Sequence, residues 1–167
     1  MRHARKDGSV GMVVPVTNCA GNEVQIDVRY RNLQEMEDAA LDRARDNMGI
    51  GLDLRVGPLF CALIPRAVWE KVGELDERFE IGMFEDDDYS HRLARAGYRI
   101  STAEDCFVHH FGQGAFSKLA RERYQAVFDA NRRRFEQKWG FSWIPHKYRP
   151  GVSGAGRRFT PAEFVWS

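Results

Sequence analysis

Four consecutive carboxylates, Glu85-Asp86-Asp87-Asp88, stand between Phe84 and Tyr89. The hydrophobic lead-in Ile81-Gly82-Met83-Phe84 comes before them, and a helical pattern from Tyr89 to Ala96 follows. Ionised carboxylates are costly to bury, so a cluster beside apolar residues calls for a physical reason. Two chemistries would use it, metal binding and general-base catalysis. A purely structural reason also exists, because acids in the first turn of a helix meet its positive end. At about 100° per residue, Tyr89, Leu93 and Ala96 form the inward stripe, with Glu85 and Asp86 on its two borders. Asp87 projects away beside His91, and Asp88 projects sideways toward Arg92, both at the spacing of surface ion pairs. Glu85 and Asp86 are left on the interior edge, where a cleft could form. Asp86 is the better candidate base, being shorter and stabilised as an anion at the helix start.

His109-His110 is the second candidate feature, at the end of an apolar strand pattern and before Gly112-Gln113-Gly114. Adjacent strand residues point to opposite faces, so one of the two at most shares a face with the carboxylates. A half-buried structural histidine would explain the pair. Imidazole is also a common transition-metal ligand and a borderline one for manganese. One connecting strand separates these histidines from the acids, so a compact sheet could assemble a joint metal-and-base site.

The elements that would position these groups are readable in order. Val10 to Val16 reads as a strand closed by Asn18-Cys19-Ala20-Gly21-Asn22, and Val24 to Val28 alternates as a short strand. Asn32 is an N-cap with Glu35 at the capping-box position. Leu33, Met36, Ala39, Ala40 and Leu41 give that helix its stripe to near Met48, before Gly49. Leu59 to Ile64 is apolar throughout, as a strand covered on both faces would be. Pro65 opens a helix over Arg66 to Val72, stopped by Gly73. After the acidic helix, Gly97 precedes two strands, Tyr98–Thr102 and Cys106–His109, separated by a turn at Glu104-Asp105. Ser117 is an N-cap for a long helix reaching about Trp139, with Leu119, Tyr124, Val127, Phe128 and Phe135 inward. Residues 1–140 therefore read as one α/β unit. Pro and Gly break every pattern in 141–167, an irregular tail laid over a surface.

Composition narrows the function classes. The chain has 167 residues, 43% of them hydrophobic, enough for one domain with a core. Its net charge of +1 argues against nucleic acid as a partner, and Arg132-Arg133-Arg134 reads as a solvated helix face. Three dispersed cysteines, Cys19, Cys61 and Cys106, fit a reducing compartment better than a disulfide framework or zinc site. The longest apolar run, Leu59–Ile64, is too short to cross a bilayer. The expected location is cytoplasmic, or at a membrane through a parent protein.

Several stretches together resemble the family 2 glycosyltransferases of the GT-A fold, particularly bacterial rhamnosyltransferase-like enzymes. Gly57-Pro58-Leu59-Phe60-Cys61-Ala62-Leu63-Ile64-Pro65-Arg66-Ala67-Val68-Trp69 is similar to that family's strand entering the acceptor region. Val72-Gly73-Glu74-Leu75-Asp76-Glu77-Arg78-Phe79 is similar to its connector, and Phe84 to Tyr89 with Arg92-Leu93 and Ala96-Gly97-Tyr98 to its acidic helix and following strand. Val108-His109-His110 resembles its strand-end histidine. The resemblance runs from about Val10 to Gly140.

It implies a partial GT-A-like mixed sheet flanked by helices, and inverting transfer of a sugar from a nucleotide diphosphate donor to a glycan or lipid-linked acceptor hydroxyl. Asp86 would be the base, Glu85 a supporting or acceptor-binding group, and Mn²⁺ or Mg²⁺ the metal, with His109 or His110 as a ligand. Met12 to Asn18 matches text that follows the family's DxD motif. About seventy residues between it and Glu85 are too few for a nucleotide-binding half with its crossovers. The chain is therefore expected to be the acceptor-side, C-terminal half, with an exposed sheet edge for a missing N-terminal half or a second copy. The rival expectations are a non-catalytic glycan- or protein-binding remnant and a metal-binding domain unrelated to sugars.

Overall fold

Local sequence sets where each element starts and stops. A computed structural model of the chain describes residues 2–79, 82–111 and 121–152. The expected N-cap Ser117, Leu119, the Gly112–Gly114 loop and the tail beyond residue 152 lie outside them. The described residues form five helices and a small mixed sheet: α1 (Arg2–Lys6), β1 (Val10–Val16), α2 (Leu33–Asp46), β2 (Asp53–Leu54), α3 (Arg66–Val72), α4 (Glu85–Arg95), β3 (Arg99–Phe107) and α5 (Arg121–Trp139). The fold is α/β.

The strand order is β1-β3-β2, with β3 parallel to β1 and antiparallel to β2. A parallel neighbour needs a long crossover, and α2, α3 and α4 lie within it. Every residue of β1 is buried, as expected for a strand covered on both faces. The main core joins Met12 and Val14 of β1 to Tyr89 and Leu93 of α4, Ile100 of β3 and Val68 of α3. Gly57 sits so close to Met12 and Ile100 that a side chain there would collide with both. Its amide donates to Ser90 Oγ at 3.0 Å, tying the 57–58 segment to α4.

Asn32 caps α2 through a 2.9 Å hydrogen bond from the Glu35 amide to its side chain. Glu35 reaches one residue further back than a capping box requires, to the Arg31 amide at 2.8 Å. Gly49, at φ +74°, turns the chain beyond the helix end.

Four expectations need correction. Leu59–Ile64 is a turn, with one antiparallel bridge from Leu63 to Val13, and Cys61 and Ala62 are exposed. Val24–Val28 is irregular except for a bridge between Thr17 and Gln25. The two strands placed at 98–102 and 106–109 are one strand, β3, because Glu104 is held inside by distant arginines and no turn forms. Leu41 of α2 faces solvent, 69% exposed.

Residues 141–152 contain no helix or strand and fold back over the body. Arg55 Nη2 donates to the Ile144 carbonyl at 2.7 Å, and Arg149 makes two hydrogen bonds to Glu104. No helix among the described residues is long and apolar enough to cross a membrane.

Candidate functional site

The acidic helix begins from an unusual backbone. Gly82, Met83 and Phe84 have φ of +93°, +70° and +72°. For the two non-glycine residues this left-handed conformation costs energy and persists only where surroundings enforce it. Asn131 of α5 is one enforcer, its side-chain amide donating to the Gly82 and Met83 carbonyls at 2.9 and 3.1 Å. The ring of Phe84 is the other. It is buried against Phe128, Phe135 and Trp143, with ring centres 5.1 to 5.9 Å apart. The turn places Asp86 and Asp87 at a cleft of about 360 Å³.

Asp86 and Asp87 both line that cleft, with His146, Tyr124, Trp143 and Tyr148. Asp86 Oδ1 accepts the Asp87 amide at 2.9 Å. Burial pushes the Asp86 carboxyl up to about 7, and the charges of Asp87 and Glu85 push the same way. A carboxyl poised near neutrality can take a proton in one step and release it in the next.

Asp87 is not the surface acid that the helical projection implies. It is 5% exposed, and its Oδ1 accepts from Trp143 Nε1 and meets His146 Nε2, both at 3.0 Å. Its expected partner His91 instead sits edge-on to Trp139, ring centres 4.2 Å apart. Asp88 does pair with Arg92 at 3.0 Å, yet it is wholly buried. It also receives Lys138 at 2.5 Å and Trp139 Nε1 at 2.9 Å. The projection assumes solvent on the outer face of α4, whereas α5 and the tail occupy that face.

Glu85 is half-buried and does not line the cleft. Its Oε2 is buried with no hydrogen-bond partner among the described residues, and burial raises its pKa above the ordinary glutamate value. The histidines lie elsewhere. His109 Nδ1 shares a hydrogen bond with the Tyr30 hydroxyl, and burial followed by the neighbouring His110 lowers its pKa. His110 stacks on Phe60 with ring centres 4.8 Å apart, its Nδ1 lying 2.8 Å from the Cys19 carbonyl oxygen. Neither lines the cleft that holds Asp86. Phe60 also packs, partly buried, against the main core.

The described residues contain no group of three or more His, Cys, Asp or Glu side chains arranged to hold a metal. His109 and His110, the expected ligands of Mn²⁺ or Mg²⁺, do not share the cleft lined by Asp86 and Asp87.

His146 and Trp143 are site residues that sequence reasoning missed. They lie 59 and 56 positions from Asp87, in a stretch with no periodic pattern. A Trp and a His among tail prolines and glycines are the one available signal, and it is weak.

Compared with protein-family models, curated proteins and solved structures, the chain matches none.

A stability prediction follows from Asp86. Between the ordinary carboxylate range and about 7, the folded protein keeps a proton there that the unfolded chain has released. Stability therefore falls as pH rises through that window and levels off above it. Asp86→Asn cannot ionise, so thermal melts should show it gaining on the wild type from about pH 4 to about pH 8. Parallel melting curves at all pH values would contradict the placement of Asp86.

Proposed function

We propose that the cleft at the start of α4 is the acceptor side of an inverting glycosyltransferase, with Asp86 as the base. The observation supporting this most is a carboxyl poised near neutrality in a cleft lined by aromatic rings. Sugars present apolar C–H faces that pack on aromatic rings, together with hydroxyls that carboxylates can bind.

In the proposed reaction an acceptor hydroxyl lies against Asp86. Its oxygen attacks the anomeric carbon of a nucleotide diphosphate sugar, the bond from that carbon to the diphosphate oxygen breaks, and the diphosphate leaves with the electron pair. The acceptor proton passes to the Asp86 carboxylate. Asp87 holds the tail against the cleft and offers an oxygen for a second hydroxyl. The resemblance of the stretch from about Val10 to Gly140 to family 2 glycosyltransferases supports the same reading. Mn²⁺ or Mg²⁺ and the donor belong to it only with groups supplied beyond the described residues. A donor half joined at a sheet edge, or a second copy there, belongs to the same proposal, as does a cytoplasmic setting.

The test is transfer from a panel of nucleotide diphosphate sugars to saccharide acceptors, run beside thermal melts with Mn²⁺ and nucleoside diphosphates. Asp86→Asn should lower transfer by about 10²- to 10⁴-fold while the protein stays folded. Equal activity in the variant would remove Asp86 from the mechanism. Absence of both transfer and any nucleotide-dependent rise in melting temperature would overturn autonomous catalysis and leave a glycan-binding module.

A further inference from the structure

Asp86 and Asp87 are adjacent acids in one cleft with Glu85 beside them, so each ionisation makes the next harder. A base in that position needs a compensating positive charge. Among the described lining residues, His146 is the one side chain able to carry it. Its Nε2 lies 3.0 Å from Asp87 Oδ1, and the same oxygen accepts Trp143 Nε1. Three contacts fix the segment that delivers it: Trp143 against Phe84, Arg55 on the Ile144 carbonyl, and Arg149 on Glu104.

We propose that His146 is a positioning residue that works through charge. Held on Asp87, its imidazolium balances the Asp86–Asp87 pair, so that Asp86 can stand ionised and ready to accept a proton.

The surroundings agree in sign. Burial alone would lower the His146 pKa, but the hydrogen bond and charge of Asp87, with the charge of Asp86, raise it overall. Arg55 is the opposing cation on this side. From the other elements Glu85 faces the pair on α4, Tyr124 lines the cleft on α5, and Tyr148 lines it on the tail. His146 and Asp86 thus titrate as a linked pair, the charge on each favouring the charge on the other.

The proposal rests on the reading of Asp86 as a base only for its catalytic meaning, because its test uses the free protein. The Asp86 side-chain carboxyl is followed by carbon-13 NMR against pH in wild type, His146→Gln, His146→Lys and Trp143→Phe. His146→Gln keeps an N–H donor for Asp87 but no charge, and should move the Asp86 midpoint up by about one pH unit. His146→Lys should bring it back toward wild type. Trp143→Phe, which removes a neutral donor to the same oxygen, should move it far less. A midpoint unmoved in His146→Gln, or moved equally in Trp143→Phe, overturns the proposal. Loss of transfer in Asp86→Asn with this titration pattern absent would leave the base reading standing and remove His146 from it.

Discussion

Asp88→Ala should destabilise the protein by about 3–5 kcal/mol, seen as a lower urea midpoint, because it takes a wholly buried acid away from two partly buried cations. Asp88 is wholly buried and receives Arg92, Lys138 and the Trp139 indole. Arg92 also donates to the Val72 and Glu74 carbonyls, and Lys138 to Asp76, so the acid joins α4, α5 and the connector after α3. Asp88→Asn keeps one acceptor and the side-chain volume, and should lose less. An exposed pair at the same spacing contributes about 0.3–0.5 kcal/mol. A cost of that size for Asp88→Ala would restore the surface reading that the helical projection implies. The structure predicts roughly ten times more.

Glu104→Ala should cost a similar amount, about 3–5 kcal/mol, with an added consequence at the cleft. Glu104 is 3% exposed and accepts Arg149 at 2.6 and 2.9 Å, Thr102 Oγ1 at 2.7 Å and Arg43. Burial alone would raise its pKa, but the bonds from Arg149 and Thr102 and the Arg149 and Arg43 charges hold it below the ordinary value. Its stabilising contribution is therefore present above the unfolded pKa and fades as pH falls through the lower folded one. Removing it leaves Arg43 and Arg149 without a shared acid and loosens one anchor of the tail that carries Trp143 and His146. Besides the lower urea midpoint, the Trp143 indole NMR signal should move toward its solvent-exposed position. A variant that unfolds earlier with that signal unmoved would mean the tail is held by its aromatic contacts instead.

Where local chemistry decided, the sequence was legible. Asn32 with Glu35, Pro65 with Gly73, and the acids before Gly97 marked α2, α3 and α4 closely, since caps and breakers act within a turn. The β-branched run of β1 was equally plain. Leu59–Ile64 was misread because a short apolar run fits a buried strand and a turn packed on one side equally well. The turn expected at Glu104-Asp105 followed from their polarity, and the arginines that bury Glu104 lie 61 and 45 residues away. At the site, Asp86 was identifiable from its helix position. Asp87 and Asp88 were not, because their burial depends on α5 and the tail packing over the outer face of α4. No spacing rule within α4 carries that information.

The left-handed turn at Met83 and Phe84 belongs with those long-range effects. Neither residue type favours positive φ, and the clamp on this turn is Asn131, bonded to the Gly82 and Met83 carbonyls 49 and 48 positions away. Its position directly before the carboxylates fits the tendency of strained backbone to collect where geometry must be fixed.

The proposed reaction requires a sugar hydroxyl to reach Asp86. Titrating the nitrogen-15-labelled protein with a panel of mono- and disaccharides reads this directly, through the amides of Asp86 and Asp87 and the indole of Trp143. Saccharide-dependent shifts should concentrate at these three groups and weaken in Asp86→Asn. Shifts confined to other surfaces, or none with any saccharide, would contradict the proposal.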